Sequence, residues 1–335
     1  MKKLISKHLG TFIGILAATV FLMSFPQRSA AQALTAQLTD KEIPVSEFNS
    51  LQISDDFDVT LSRGSYGVRL TVDKDLAPYV EVYVKAKTLY LSYDEKAVPK
   101  EIRKLYKGKG GLTPIFRVVA YAPELRSLSL SDNASFSSLE EFTAPEFELT
   151  AVGKSQVKNL TIKATSAKIM LRKNATAVVS AQTEQGVEVS TENSSNLKLT
   201  CTGHEMVVNA EGSSVVIASG PSRAVNVFTS GSAQATISSE TEKVNVTSEG
   251  SSKVVLTGRG DVLNVKGSRS SNVDAYSMPF EEVVADLSGS SSVTTSVSRK
   301  VDVTLVGGSS LYYSGAPEFR INKIVKSTLA PYGTK

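Results

Sequence analysis

The feature that most constrains the fold is a repeat of about twenty residues that recurs ten times from Arg126 onward. In residues 244–256, two short alternating stretches flank a Gly-Ser-Ser turn, and Gly250 serves as the anchor of this unit. The anchors of the ten units are Asp132, Gly153, Lys173, Asn193, Gly212, Gly231, Gly250, Arg269, Gly289 and Gly307. Their spacing of 18–21 residues is typical of a solenoid, in which each unit buries its apolar face against its neighbours.

Apolar and polar residues alternate on both sides of each anchor. Pairs such as Val244/Val246 before Gly250 and Val254/Leu256 after it predict strands with one buried face. The second residue after the anchor is small in all ten units, which predicts a tight, inward-pointing corner, and glycine at several anchors fits a positive φ. The sequence therefore predicts an all-β fold, a single-chain parallel β-helix with about ten coils of 19–20 residues over residues 126–315. Right-handed crossover is the general expectation for parallel β connections.

Residues 1–33 have the pattern of a secretory signal peptide. Three lysines precede the apolar stretch from Leu9 to Phe25, and a small-x-small site follows, with cleavage after Ala33 or Ala31. A retained membrane anchor is the alternative interpretation. The mature chain is expected to be exported, without a transmembrane span.

The segments that flank the repeat lack its period. Residues 34–44 are polar and predicted to be loose, whereas residues 45–125 predict strands at 50–53, 57–61, 68–72, 80–84, 89–93 and 115–121 that cap one end of the rod. Residues 316–335 are predicted to be a C-terminal cap and tail. A basic loop at 94–114 is either a solvated insertion or a contact for an anionic glycan or membrane surface, and its cations are Lys96, Lys100, Arg103, Lys104, Lys107 and Lys109.

Composition argues against several classes of function. The net charge of +4 comes from charges of both signs spread along the chain, so the basic stripe that nucleic acid requires is missing. After signal removal His204 is the only histidine, and the motifs of metalloproteases and serine hydrolases are absent. We therefore expect no catalytic residue, metal or cofactor. The single cysteine, Cys201, is predicted to be a packed thiol, and Asp55, Asp56 and Asp58 are predicted to form a turn rather than a calcium site.

The position five residues before each anchor should project outward and form one column along the rod. Asn226, Asn245 and Asn264 occupy three successive places and predict a ladder of hydrogen-bonded amides. Glu148 and Glu188 are separated by Lys168, so the column does not offer the adjacent carboxylates that retaining glycoside hydrolysis uses. The candidate ligand-binding residues are Asn226, Asn245, Asn264, Lys104, Lys107 and Lys109. Residues 259–261 spell the Arg-Gly-Asp tripeptide on a predicted turn, where a chance match is the favoured interpretation.

Several stretches resemble a known family. They are the opening strands 48–53, 57–61 and 68–72, the stretch 89–92, and coils such as Leu-Ser-Gly-Ser-Ser-Ser-Val at 287–293. Over residues 45–315 the chain resembles the putative auto-transporter adhesin head GIN domain family. The resemblance implies an exported β-helical protein of the kind common in the Bacteroides group, and it implies no functional residues. The chain departs from the auto-transporter pattern in that no C-terminal membrane barrel is expected in this sequence, so self-secretion is not expected.

These observations favour a non-enzymatic, exported β-helix of the cell envelope that acts as an adhesin or as a polysaccharide-binding or surface-binding structural protein. A carbohydrate-active enzyme, either a polysaccharide lyase or a glycoside hydrolase, is the first alternative. The second alternative is a periplasmic scaffold that acts through oligomerisation. The expected partners are a polysaccharide or cell-surface glycan and, in the scaffold hypothesis, further copies of the chain. The periplasm, the outer-membrane surface and the extracellular space all remain open as the final location.

Overall fold

The computed structural model describes residues 37–107 and 111–333, which belong to one compact unit, Ala36–Lys335. The predicted signal peptide and Lys109 lie outside the described residues. A short 3₁₀ helix covers Ala77–Tyr79. The strands and the α-helix are β1 (Leu38–Ile43), β2 (Ser50–Ile53), β3 (Asp58–Ser62), β4 (Gly67–Asp73), β5 (Val80–Lys85), β6 (Thr88–Tyr93), α1 (Lys100–Tyr106), β7 (Phe116–Tyr121), β8 (Ser127–Leu130), β9 (Ser135–Gly153), β10 (Gln156–Lys173), β11 (Thr176–Thr191), β12 (Asn196–Ala210), β13 (Val215–Ser219), β14 (Ser222–Thr229), β15 (Gln234–Ser248), β16 (Lys253–Gly267), β17 (Asn272–Leu287), β18 (Ser292–Val306), β19 (Ser310–Ser314), β20 (Glu318–Val325) and β21 (Thr328–Pro331).

The strands from β8 onward stack in parallel, one turn of chain on the next, as a β-solenoid of about 11 turns. The turns keep one register, so that equivalent residues stand directly above one another, as Val244 does over Val225 and under Leu263. Residues before each anchor form one sheet, called here the pre-anchor sheet, and residues after it form the post-anchor sheet. The predicted parallel β-helix is confirmed.

The anchors explain how the chain passes from one sheet to the other. All ten have a positive φ, between 59° and 88°, and these include Lys173 and Arg269, where a Cβ makes that conformation unfavourable. The small residue two positions later is buried at every turn, as predicted from the sequence. Asp55, with a φ of 57°, is a further anchor in the N-terminal region, and the bulky Phe57 that follows it hides the repeat signal there.

The core is a set of apolar columns that run between the two sheets. Val, Leu, Ile and Ala side chains fill it, and most of them are excluded from solvent almost completely. Hydroxyl groups line the corners next to the anchors, where Thr229, Ser248 and Ser252 place their oxygens 2.9–3.1 Å apart. These contacts pair buried polar groups with one another and so avoid the cost of leaving them unsatisfied.

The N-terminal region is stacked out of chain order. β2 lies between β6 and β8, and β3 lies between β7 and β9, so the turn formed by β6 and β7 is the outer one. Antiparallel strands then close this end, β5 on β6 in the pre-anchor sheet and β4 on β7 in the post-anchor sheet. α1 packs Ile102 and Tyr106 against the core beside them.

The prediction that residues 34–44 are loose is wrong for Leu38–Ile43. This segment is strand β1, which pairs in antiparallel fashion with β4. It lacks the alternation of a strand with one buried face because it is solvated on both sides at the edge of the sheet. Polar contacts between β1 and β4 help to hold it in place: Arg69 donates to Glu42 across 2.9 Å, and Thr71 donates to Asp40 across 2.5 Å.

Candidate functional site

The outward position five residues before each anchor forms a continuous row on the pre-anchor sheet, which we call the ladder column. Strand register places each member directly beside the next, and β20 adds Arg320 next to Asp302. The members in order are Ser127, Glu148, Lys168, Glu188, Val207, Asn226, Asn245, Asn264, Val284, Asp302 and Arg320. The column predicted from the sequence is therefore formed.

The three asparagines make an amide ladder along the column. Asn264 donates its side-chain N–H to Asn245 Oδ1 across 2.9 Å, and Asn245 donates to Asn226 Oδ1 across 2.7 Å. Asn226 in turn donates to Glu205 Oε1 across 2.5 Å. Each carboxamide carries two N–H donors, and the ladder uses one of them, so its second N–H is available to a ligand.

Glu205 was not among the residues predicted from the sequence. It stands seven residues before its anchor rather than five, in register with Ala224, and it reaches diagonally to Asn226. In the sequence, one signal could have identified Glu205: it is a carboxylate that lies two residues before Val207, the column position of the turn that precedes Asn226. Its charge adds a strong acceptor to one end of the ladder.

Beyond Glu205 the column continues into a surface groove with a volume of about 770 Å³. Four carboxylates line it together with two cations, and the set comprises Glu146, Glu148, Glu188, Glu205, Arg126 and Lys168. Both cations have an acidic neighbour: Lys168 Nζ lies 3.7 Å from Glu188 Oε2, and Arg126 Nε lies 3.5 Å from Glu124 Oε1. The groove therefore carries a net negative charge.

A close approach between turns shapes the floor of this groove. Gly186, at the corner of β11, has a φ of 148°, and a Cβ built there would lie 2.1 Å from the carbonyl oxygen of Glu205. Since only glycine fits that separation, the corners of β11 and β12 come together beneath the acidic side chains. Gly186 and the acidic side chains therefore line the same groove.

The basic loop is a separate surface. Lys104 lies on α1, and Lys107 Nζ forms an ion pair with Glu95 Oε1 at 2.8 Å. α1 belongs to the segment that connects β6 with β7, and seven strand steps separate β6 from β14, where the asparagines begin. At about 4.8 Å per step, the two surfaces are roughly 34 Å apart along the stack. The structure does not bring Lys104 and Lys107 together with the asparagines.

The Arg-Gly-Asp tripeptide, His204 and Cys201 do not form a reactive site with other groups in the described residues. Gly260 of the Arg-Gly-Asp tripeptide is buried at a corner within β16, where a Cβ would lie 2.4 Å from Phe280 Cε1, so the tripeptide is not a protruding loop. His204 is exposed, and Cys201 is a buried free thiol. In residues 37–107 and 111–333, no cluster of three or more histidine, cysteine or acidic residues could hold a metal ion. Over the same ranges, no helix has the length and hydropathy of a membrane span.

Comparisons with known proteins identify one family model and several solved structures that are similar to the chain. The family described as "putative auto-transporter adhesin, head GIN domain" matches residues 47–221 and 221–317. A solved putative adhesin from Parabacteroides merdae is 18% identical, with 88% of this chain and 96% of that chain covered and a TM-score of 0.34. A putative adhesin from Bacteroides fragilis is 15% identical (89% and 98% covered, TM-score 0.30). A putative lipid binding protein from Parabacteroides distasonis is 13% identical (88% and 96% covered, TM-score 0.29). No curated protein matches the chain.

Proposed function

The chain belongs to the putative auto-transporter adhesin, head GIN domain family, and from that membership we propose that it is an exported adhesin of the cell envelope without enzymatic activity. Its ligand is a neutral polysaccharide or cell-surface glycan. The binding surface is the ladder column together with the acidic groove at its end. The observation that carries the proposal is the unbroken register of this column, which repeats polar groups at one spacing along a rigid surface.

A repeating surface suits a repeating ligand. Successive sugars of a linear polysaccharide present hydroxyl groups in a periodic array, and the remaining amide N–H groups of Asn226, Asn245 and Asn264 recur at each strand step. Each single contact is weak because it is open to water, so affinity has to come from many equivalent contacts along the chain. Long glycans should therefore bind much better than short ones.

The charge of the groove selects among glycans. Four carboxylates against two cations repel a chain of uronic acids or sulfated sugars, whereas neutral sugars can hydrogen-bond to the same carboxylates. This argues for neutral polysaccharides at the ladder column. An anionic ligand would suit the separate cations of the basic loop, such as Lys104, better.

The geometry supports binding more strongly than hydrolysis. Glu148 and Glu188, the two carboxylates of the ladder column, lie two strand steps apart, or about 9.6 Å between equivalent backbone positions, so the column has no pair of carboxylates on adjacent strands of the kind that could give the 5–5.5 Å separation of retaining enzymes. Inverting enzymes need room for a water between their carboxyl groups, and here Lys168 stands between the two glutamates with its ammonium beside Glu188. The lysine therefore occupies the column position between the two glutamates.

A glycan array, read for both retained protein and released sugar, tests the proposal. The purified protein should be retained on neutral polysaccharides, without release of sugar. Asn245→Ala should lower retention several-fold, while Thr236→Ala should leave it unchanged, because both residues belong to β15 but Thr236 lies on the opposite sheet. Release of sugar, or equal effects of the two substitutions, would contradict the proposal.

A further inference from the structure

The two ends of the solenoid differ in shape. At the C-terminal end, β20 and β21 form the last turn, and within residues 37–107 and 111–333 their strand neighbours are β18 and β19 alone. At the N-terminal end, β1 extends the post-anchor sheet one strand beyond β4, whereas the pre-anchor sheet ends with β5. The N-terminal end is therefore stepped, and the C-terminal end, which we call the level end, is flat. The two ends do not fit together with both sheets paired.

The level end is apolar. Of the twelve large apolar side chains that are exposed in the described residues, five lie within residues 319–332, and they are Phe319, Ile321, Ile324, Val325 and Tyr332. The first three stand in register over buried residues of β18, yet they are 37%, 54% and 37% exposed. The apolar columns of the core thus reach the surface here, and an exposed patch of this kind is typical of a contact with another molecule.

Backbone groups of β21 point away from the rest of the sheet. Successive residues of a strand alternate in the side toward which they hydrogen-bond. Thr328 N–H donates back to Ser309 O across 2.9 Å, so the N–H and C=O of Leu329 face the outer edge of β21. In the part of the chain that the structure describes, no strand lies beyond that edge.

The same alternation applies to β20. Gly307 N–H donates forward to Val325 O across 3.1 Å. Counting back from Gly307 along β18 in steps of two, Val303 also bonds forward, and opposite residues of a parallel pair bond in the same direction. Ile321 is opposite Val303, so its N–H and C=O face the outer edge of β20. Edges of this kind are templates for pairing with another strand.

We propose that a second copy of this chain covers the level end, tail to tail, about a twofold axis parallel to the strands. Such an axis exchanges the two sheets, so that β20 of each copy lies beside β21 of the other. β20 runs toward the corner at Lys326 and β21 runs away from it, so both pairings are antiparallel. Because both strands of the level end belong to the last turn, both can pair at once.

The axis also sets the register of the two pairings. It keeps each residue at its position along the strand, so a residue of β20 meets the residue of β21 that is equally far from the corner. Ile321 stands over Val303, four residues before the anchor Gly307. Leu329 stands over Leu311, four residues after the same anchor. Ile321 of one copy is therefore opposite Leu329 of the other, and their edge N–H and C=O groups can bond to each other.

The side chains match in this register. The inner pairs are apolar on both sides, and they are Ile321 with Leu329 and Phe319 with Pro331. The outer pairs join a cation to an uncharged residue, and they are Arg320 with Ala330 and Lys323 with Thr328. The core columns of the two copies thereby become continuous, and these four pairs bring no like charges together.

A twofold axis perpendicular to the sheets would instead pair β20 with β20. Every antiparallel register that uses the edge groups of Ile321 then places Arg320 or Lys323 opposite a cation of the other copy, because these two flank Ile321 on the outward side. Like charges directly opposite each other are unfavourable. The charges of β20 therefore favour pairing with β21, which carries none. In that arrangement the Lys326 side chains of the two copies approach at the corner, where both are exposed and screened by water and salt.

The contact uses the same surface on both copies and closes on itself, so it predicts a dimer and no larger assembly. Since the axis exchanges the sheets, the ladder columns of the two copies lie on opposite faces of the joined rods. Under the proposed function, one dimer can then hold a polymer on each face. The dimer itself does not depend on glycan binding.

Sedimentation velocity of the purified protein over a range of concentrations should show a monomer and a dimer. Ile321→Glu places a carboxylate in the apolar contact twice per dimer, so it should raise the dissociation constant by roughly tenfold or more. Ile217→Glu is the matched control, because Ile217 is 48% exposed on β13, away from the level end, and its replacement should leave the dissociation constant unchanged. Circular dichroism should show equal strand content for all variants.

Disulfide cross-linking tests the arrangement of the two copies. Arg320 and Ala330 of the other copy form a non-hydrogen-bonded antiparallel pair, in which the Cα atoms are about 4.5 Å apart and a disulfide can form. An equimolar mixture of Arg320→Cys and Ala330→Cys should therefore give a covalent dimer on mild oxidation, whereas each variant alone should not. The natural thiol, Cys201, is buried and should not react.

Several results would overturn the inference. They are a protein that stays monomeric at every concentration, a folded Ile321→Glu variant that dimerises normally, and assemblies that grow beyond two copies. A covalent dimer from Arg320→Cys alone would indicate pairing of β20 with β20. A monomer that binds phosphatidylglycerol vesicles, and loses this binding in Ile321→Glu, would assign the level end to an anionic membrane surface instead. If Ile321→Glu loses strand content, cross-linking of the folded cysteine variants decides.

Discussion

The carboxylate of Glu205 accepts a hydrogen bond from the side-chain amide of Asn226 across 2.5 Å, and this contact sets the direction of the whole asparagine ladder. An ionised carboxylate can only accept, so Asn226 must turn its nitrogen toward Glu205 and its oxygen toward Asn245. Asn245 then has to donate to Asn226, and Asn264 to Asn245, as the structure shows. One charged residue thereby orients three neutral ones.

The first prediction concerns that charged end. Asn226→Asp should lower the free energy of unfolding by about 0.5–1 kcal/mol, because a second carboxylate then faces the exposed Glu205 where a donor stood. Adding Glu205→Gln should restore most of the loss, since glutamine can donate to the new aspartate. Urea denaturation of both single variants and the double variant measures the coupling. Additive losses would contradict the proposed direction of the ladder.

The repeat itself was predictable because its signal is local and redundant. Three signals indicate the same corner of the solenoid: the spacing of the anchors, the small residue two positions after each anchor, and the apolar alternation. Together they predict the positive φ that Gly250 has. Glu205 was missed because its role depends on a diagonal contact between two turns, which no single repeat contains. The β6–β2–β8 stacking order was missed for the same reason, since strand order depends on long-range pairing rather than on local pattern.

The second prediction compares a glycine anchor, Gly250, with an anchor that carries a side chain, Lys173. Gly250→Ala should destabilise the protein by about 1–2 kcal/mol, because its φ is 76° and a Cβ would lie 2.6 Å from the Gly231 carbonyl oxygen. Lys173→Gly should instead stabilise it by about 0.5–1 kcal/mol, because lysine now occupies a φ of 67°. Thermal unfolding of the two variants compares them. Shifts of the same sign would show that the anchors are not controlled by their backbone conformation.

The third prediction concerns the buried thiol. Burial raises the pKa of Cys201 to about 11, so little thiolate exists at pH 8 and iodoacetamide should not label the folded protein. Labelling should become rapid in denaturant. Cys201→Ser should cost about 1–3 kcal/mol because it buries a hydroxyl in an apolar column, and Cys201→Ala should cost less than the serine variant. Labelling of the folded chain at the rate of a free thiol would contradict this packing.

The ends of the solenoid show a second limit of sequence reasoning. Residues 316–335 were expected to act as a cap, and β20 and β21 do cover β18 and β19. The alternation of Phe319 and Ile321 nevertheless resembles that of any buried strand, and only the structure shows that both residues are exposed. Periodicity identifies which face of a strand is apolar but does not say whether another layer follows.

The last prediction concerns pH and the buried carboxylate at the end of β4. Asp73 is 1% exposed, accepts from the Ile115 N–H across 2.8 Å, and has no partner for Oδ1 in the part of the chain that the structure describes. Burial raises its pKa above the usual value, with a smaller contribution from the charge of Asp75. The folded state therefore binds this proton more tightly than the unfolded chain does, so this group adds stability as the pH falls from 7 through the folded pKa.

Asp73→Asn should consequently be more stable than the unmodified protein at pH 7, by about 1.4 kcal/mol for each unit of the pKa difference. The amide oxygen can still accept from Ile115 while the buried charge is removed. The advantage should shrink as the pH falls and the aspartate becomes protonated. Urea denaturation at pH 7 and pH 4.5 measures both values, with Asp261→Asn at an exposed corner as the control. A difference that is independent of pH would show that Asp73 titrates alike in the folded and unfolded chains, and its burial would then carry no electrostatic cost.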